Sequence, residues 1–435
     1  MLQSSSIVLD EYRVSSSHGF LPTELPLRRL PHVYYEQWEN LAGQLSTLIQ
    51  QDKIRDLIDA LPVLTTTWLQ TEPEWRRAYS ILGFLTHAYI WGGQKPRDVL
   101  PPSISKPFLE ISAHLGLPPC ATYAGLTLWN FDAAPGADIT DPDSLSTITS
   151  FTGTQDEAWF MLISVAIEAK GGKLITLMLD AIEAATQHNI SQLTALLCRF
   201  TDVLQDVTAT LKRMYEKNAP QVFFHQLRPF LAGSKNMAVA GLPNGVFYDI
   251  GNGNGEWRQY SGGSNAQSSL IQTFDIFLGV THPATGDKEK ETDQKALKSK
   301  GPGYIEQMRD YMPAPHKRFL EVLTDISNIR DYVVSLGSDS PAKEAFNAAV
   351  QSLTKFREAH IQIVTRYVIT QSRISAASQP AERLNLATAS VKSTENSDGS
   401  SGSDEDDSGV LHGTGGTSLA SFLKQTRDST KSAAC

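Results

Sequence analysis

The sequence predicts an all-α fold, and three features predict it. Apolar residues recur three and four apart through most of the chain, the period of a helix face. Alternating β-branched stretches between turn signals are scarce, so little sheet is expected. With 435 residues, 41% hydrophobic and 20% charged, the chain is long enough for two packed cores.

Taken in order, residues 34–50, 52–61 and 74–91 read as helices. Pro96, Pro101, Pro102 and Pro107 then break the pattern, because a helix interior cannot continue through proline, and they close a first, smaller region. The segment 136–153 is rich in Gly, Asp, Thr and Ser. It gives way to Thr154-Gln155-Asp156-Glu157, a capping box opening an almost wholly apolar helix to about Lys170. A boundary near 150 follows, with one domain over 1–150 and a larger one over 151–372. A long helix is expected from Pro341 to about Ser372, with Ser340 as its cap and Pro341 in its first turn. Residues 373–412 are too polar to bury a core and are expected to be disordered. The stretch 413–435 holds a glycine-rich run and a short amphipathic helix over about 417–430. No internal repeats occur.

The net charge of −9 owes much to one run, Ser403-Asp404-Glu405-Asp406-Asp407, and nothing suggests binding to nucleic acid or acidic lipid. Cys120, Cys198 and Cys435 are too few and too scattered for a disulfide framework or a cysteine metal site, which fits a reducing compartment. Met1 to Ser17 is polar and carries Asp10, Glu11 and Arg13, so it reads as neither a secretory signal nor a membrane span. A soluble cytoplasmic protein is expected.

Four segments bear on chemistry. His360 falls on the apolar stripe of the 341–372 helix, one turn from Phe356 and from Val364. A rigid helix presenting imidazole within apolar walls suits an axial heme ligand, and a core histidine bonded to a carbonyl is the alternative. His87 and His225 compete for the same role. Arg228 lies among Phe223, Phe224 and Phe230, where a guanidinium needs an anion, either a substrate carboxylate or an internal Asp or Glu. Pro229 should bend or end its helix. The run from Ser261 to Ser269 precedes an apolar helix and offers backbone N–H groups to a carboxylate or propionate, unless it is simply a connecting loop. Gly413-Thr414-Gly415-Gly416-Thr417 lacks the ending and the preceding strand of a phosphate loop, which leaves a hinged lid or a plain linker.

Read together, these segments resemble the indoleamine 2,3-dioxygenase family from about residue 20 to the C-terminal helix. The likeness rests on Ala88-Tyr89-Ile90-Trp91-Gly92, Leu117-Pro118-Pro119, Tyr123-Ala124, Gly262-Gly263-Ser264 with Gln267-Ser268-Ser269, Tyr311-Met312-Pro313, His360-Ile361-Gln362-Ile363-Val364-Thr365 and the Gly-Thr-Gly-Gly-Thr run, in family order. It implies a small helical N-terminal domain capping a large helical domain that binds heme b. By that resemblance His360 is the proximal iron ligand, and Arg357 and Asp275 form an ion pair behind it. Phe160, Ser164, Tyr123 and Phe223 surround the indole, Arg228 holds the substrate carboxylate, and Thr414 belongs to a lid near the ammonium. Gly263 and Ser264 run along the heme propionates and the substrate. The implied reaction inserts O2 across the indole C2–C3 bond of L-tryptophan to give N-formylkynurenine, the first step of the kynurenine pathway toward NAD. An external reductant keeps the iron ferrous, Ser164 orients without acting as a base, and a monomer is expected. The sequence departs from the mammalian pattern at Leu126, Thr127, Asn265 and Pro229. Two rivals remain at this stage: a heme protein of the same fold that binds O2 without turnover, and a helical interaction protein.

Overall fold

The computed structural model describes residues 7–282, 303–378 and 419–435. Eleven helices organise the account: α1 Glu36–Gly43, α2 Leu45–Gln50, α3 Ile54–Asp59, α4 Glu72–Trp91, α5 Pro102–Leu115, α6 Gln155–Thr186, α7 Ile190–Lys212, α8 Ser269–Phe277, α9 Ala314–Ile326, α10 Pro341–Val364 and α11 Leu419–Lys431. The fold is all-α, as the periodicity predicts. Sheet is confined to short pieces: β1 Val99–Leu100 runs parallel to β4 Val246–Gly251, which pairs antiparallel with β5 Asn254–Arg258, and β2 Phe131–Ala133 pairs with β3 Leu145–Thr147.

The long central helix α6 starts where the capping box places it, with the Thr154 hydroxyl accepting the Glu157 N–H at 3.2 Å. It does not stop near Lys170 but continues to Thr186. Gly171 and Gly172 cost the helix roughly 1 kcal/mol each against alanine. Both are needed for close approach, because a Cβ at Gly172 would overlap the backbone of His18 and Gly19, and one at Gly171 would overlap Leu270. Helix α7 packs along both α6 and α10, and α11 packs on α10, so the four form the body around one continuous core.

Other expectations need correction. The 34–50 segment is broken at Gln44 and begins as a 3-10 turn over Val33–Tyr35. Helix α5 runs through Pro107, which the proline rule excludes. Pro102 sits in its first turn, where no N–H is required, so Pro107 removes one bond from a helix otherwise held by buried Ile104, Phe108 and Ile111. Ser340 stands before α10 but its hydroxyl makes no cap bond. After Val364 the helix widens to a π turn over Thr365–Ile369 and resumes over Thr370–Ser378, so the start of the segment expected to be disordered is helical. The rest of 373–412 lies outside the described residues, as does the glycine run with Thr414.

Candidate active site

One cavity gathers nearly every residue singled out in the sequence. It is an open-mouthed cavity lined mainly by apolar side chains with a few convergent polar groups, the usual make-up of a small-molecule site. Helices α6, α8, α10 and α11, the π turn at Phe223–Leu227 and the loop at 263–268 supply its walls. Tyr123, Phe160, Ser164, Phe223, Arg228, Gly263, Ser264, Asp275, Arg357 and His360 all line it.

On one side stands α10. Phe356, Ile363 and His360 share its inner stripe, and the half-buried surface of His360 faces the cavity. Burial, and then the nearby Arg357 charge, lower the His360 imidazole to about 4, so it is neutral near pH 7. Among the described residues neither of its ring nitrogens has a hydrogen-bond partner. Arg357, three residues earlier, donates to both oxygens of Asp275 on α8 at 2.7 Å. It also donates to the Thr426 carbonyl at 3.0 Å and to the Thr430 hydroxyl, both on α11. His282 adds a 2.9 Å contact to Asp275. Burial alone would raise the Asp275 carboxyl, but Arg357 and His282 outweigh it and hold it below its ordinary range.

Another part of the lining is aromatic. Phe160 and Phe223 lie 4.9 Å apart between ring centres, and Phe223 meets Tyr367 edge-on. Ser164 is buried one helical turn from Phe160, its hydroxyl 3.5 Å from the Phe160 carbonyl and within reach of the Tyr123 hydroxyl. The Arg228 guanidinium, buried, lies 5.5 Å from the Phe224 ring centre, and desolvation lowers it to about 10. Pro229 follows it at the start of a last helical turn that ends at Leu231, as expected. At Gly263 a Cβ would push on the end of the Leu126 side chain, and Ser264 caps its own turn by accepting the Ala266 N–H.

The competing histidines are placed elsewhere. His225 is exposed. His87 is buried in α4, where its Nδ1 meets the Phe230 carbonyl at 2.7 Å and its Nε2 accepts the Ala121 N–H, so it is the core histidine of the bland alternative. Two residues just behind the lining are given no role by the sequence, although Gln267 stands in one of its motifs. Gln267 accepts the Tyr123 N–H at 2.9 Å and donates to the Gly262 carbonyl. Glu168, fully buried, accepts hydrogen bonds from the Tyr123 and Ser268 hydroxyls. Its only signal in the sequence is a lone acidic residue in an apolar helix.

The family model for indoleamine 2,3-dioxygenase matches residues 8–433. The chain belongs to that family. Among relatives of the indoleamine 2,3-dioxygenase chain, an indoleamine 2,3-dioxygenase of Penicillium citrinum is 40% identical over 98% of this chain and 89% of its own length. An indoleamine 2,3-dioxygenase of Saccharomyces cerevisiae is 41% identical over 97% of this chain and 93% of its own. A 6-hydroxytryptophan 2,3-dioxygenase of Fusarium equiseti is 36% identical over 97% and 96%. The chain is therefore an oxidoreductase of the dioxygenase type, in an indoleamine 2,3-dioxygenase family that is heme-dependent. The positions departing from the mammalian pattern, Leu126, Thr127 and Asn265, line the same cavity. No helix among the described residues is long and apolar enough to cross a membrane.

Proposed function

We propose that this dioxygenase binds heme b through His360 and cleaves the indole ring of L-tryptophan, adding both atoms of O2 across C2–C3 to give N-formylkynurenine. The single observation carrying this reading is that one apolar cavity is lined both by a histidine on a long helix and by a buried arginine set among aromatic rings. The residues fit the group. A porphyrin needs apolar walls and an imidazole nitrogen. Among the described residues no cluster of three or more His, Cys, Asp or Glu could hold an ion by itself, so an iron here would bring its own ring of ligands.

The heme, when bound, supplies the iron chemistry that activates O2. The chain positions the other partner. Arg228 holds the tryptophan carboxylate in a site where burial strengthens a charge-assisted pair. Phe160, Phe223 and Tyr123 confine the indole, and the Ser164 hydroxyl, too weak an acid to exchange protons near neutrality, orients it. Arg357 and Asp275 fix the rotation of α10 and with it the direction of His360. Gly263 and Ser264 flank the propionate and substrate edge, and Thr414 completes the site as a lid residue. On this reading residues 1–150 cap a heme-binding body over 151–372, an external reductant keeps the iron ferrous, and the monomeric cytoplasmic enzyme opens the kynurenine route to NAD. A Soret band on adding heme, with absorbance of N-formylkynurenine appearing on adding tryptophan and reductant, tests it. A Soret band without product would leave an O2-binding protein of the same fold.

One observation favours a second substrate. Thr127 and Ser164 are buried hydroxyls on the cavity wall, the first 3.9 Å from the Met161 sulfur, the second 3.5 Å from the Phe160 carbonyl and within reach of the Tyr123 hydroxyl. Such groups suit a ring-hydroxylated tryptophan. A kcat/KM for 6-hydroxytryptophan below that for tryptophan, unchanged in Thr127→Val, would dismiss this reading.

A further inference from the structure

Glu168 plays no part in the chemistry above, yet it is fully buried beside it. It lies on the same stripe of α6 as Phe160 and Ser164, one turn beyond the cavity wall. One carboxyl oxygen, Oε1, accepts from the Tyr123 hydroxyl at 3.0 Å and from the Ser268 hydroxyl at 2.6 Å. The other, Oε2, is buried with no partner. No Lys, Arg or His among the described residues forms a salt bridge with it. Burial raises the carboxyl to about 7, with the two hydroxyls opposing that rise. An apolar side chain of similar volume would avoid all of this desolvation cost, as would phenylalanine at 123. Packing alone therefore gives no reason for the trio.

What the trio does give is a fixed location. Tyr123 is tied at both ends to the same loop: its N–H to Gln267, and its hydroxyl through Glu168 to Ser268. Ser268 is also the cap of α8, accepting the Ile271 N–H at 3.3 Å, and α8 carries Asp275, the partner of Arg357. A phenylalanine could slide along the wall, whereas a tyrosine bonded to a buried carboxyl has one place to be. We propose that Glu168 is a positioning residue for the dioxygenase reaction, its one shared oxygen setting the Tyr123 ring against the substrate and the start of α8 against the proximal helix.

The proposal rests on the reading of this cavity as the heme and tryptophan site, and wild-type turnover of tryptophan tests that reading by itself. With reconstituted enzyme, Glu168→Ala raises the KM for tryptophan about tenfold or more while kcat changes much less, as expected when a wall rather than a reacting group is displaced. Tyr123→Phe gives a similar rise, and the double variant is no worse than the single ones, because both remove one tie. Glu168→Gln, which still accepts from both hydroxyls, restores most of the affinity. The C–O stretching band of the ferrous carbon monoxide complex broadens in Glu168→Ala and in Tyr123→Phe, a distal-wall signature that a purely structural loss of stability would not produce. Losses that multiply in the double variant, or a wild-type KM and band in Glu168→Ala, overturn the proposal. If Glu168→Ala does not fold, Tyr123→Phe carries the test, and a wild-type KM and band there overturn it equally.

Discussion

The two walls of the cavity bury charge to the same degree and treat it differently. On the α10 side, Arg357 and Asp275 are each about 5% exposed and neutralise one another at 2.7 Å, with α11 supplying the remaining acceptors. On the aromatic side, Arg228 and Glu168 are as deeply buried, and desolvation moves each toward its neutral form, to about 10 and about 7. The first wall is a finished piece of structure. On the second, burial shifts both groups, and perturbed groups of this kind concentrate at functional sites.

The difference can be broken by substitution. His360→Ala has the largest effect, abolishing stable heme binding while far-ultraviolet circular dichroism stays helical; a retained histidine-ligated Soret spectrum contradicts the assignment. Next, Arg357→Ala leaves Asp275 with His282 alone and costs up to about 3 kcal/mol of folding stability, read as a lowered urea midpoint. Arg228→Gln, on the other wall, leaves that midpoint nearly in place and instead weakens tryptophan by about 2–5 kcal/mol, at least about thirtyfold in KM, with an unchanged Soret band. A variant that loses only stability makes Arg228 a structural residue and removes the contrast.

The walls also differ in the direction of their pH dependence. Asp275 sits below its ordinary value of 3.8, so its contribution is present above that pH and is lost as pH falls through the folded value. Glu168 sits above its ordinary 4.5, so its contribution is complete below 4.5 and is lost as pH rises through about 7. Wild type should therefore lose up to about 3 kcal/mol of stability relative to Glu168→Gln between those limits, measured by urea unfolding at a series of pH values. Parallel curves would show that Glu168 titrates normally.

How much of this was legible follows from the distance over which each feature is made. That His360 lines the cavity was readable because it shares the apolar stripe of one helix, and that Arg228 does so because its aromatic neighbours are next to it in the chain. Glu168 was not, since the hydroxyls that define it come from 45 and 100 residues away. The length of α6 was misjudged for the same reason, as Gly172 answers to Gly19 and not to its own helix. Pro107 shows the converse, a local rule overruled by buried neighbours on both sides of it. Thr414 and the polar stretch before it lie outside the described residues, so those readings stand as sequence readings.

Besides Arg357, α11 and the residues after it are held by Arg330 on the Ala433 carbonyl and by Asn347, which bonds the Cys435 backbone in both directions. Every one of these anchors reaches back to residues before 358, across the span 379–418. The C-terminal end is thus fastened by side chains of two earlier helical segments and not by its own helix alone.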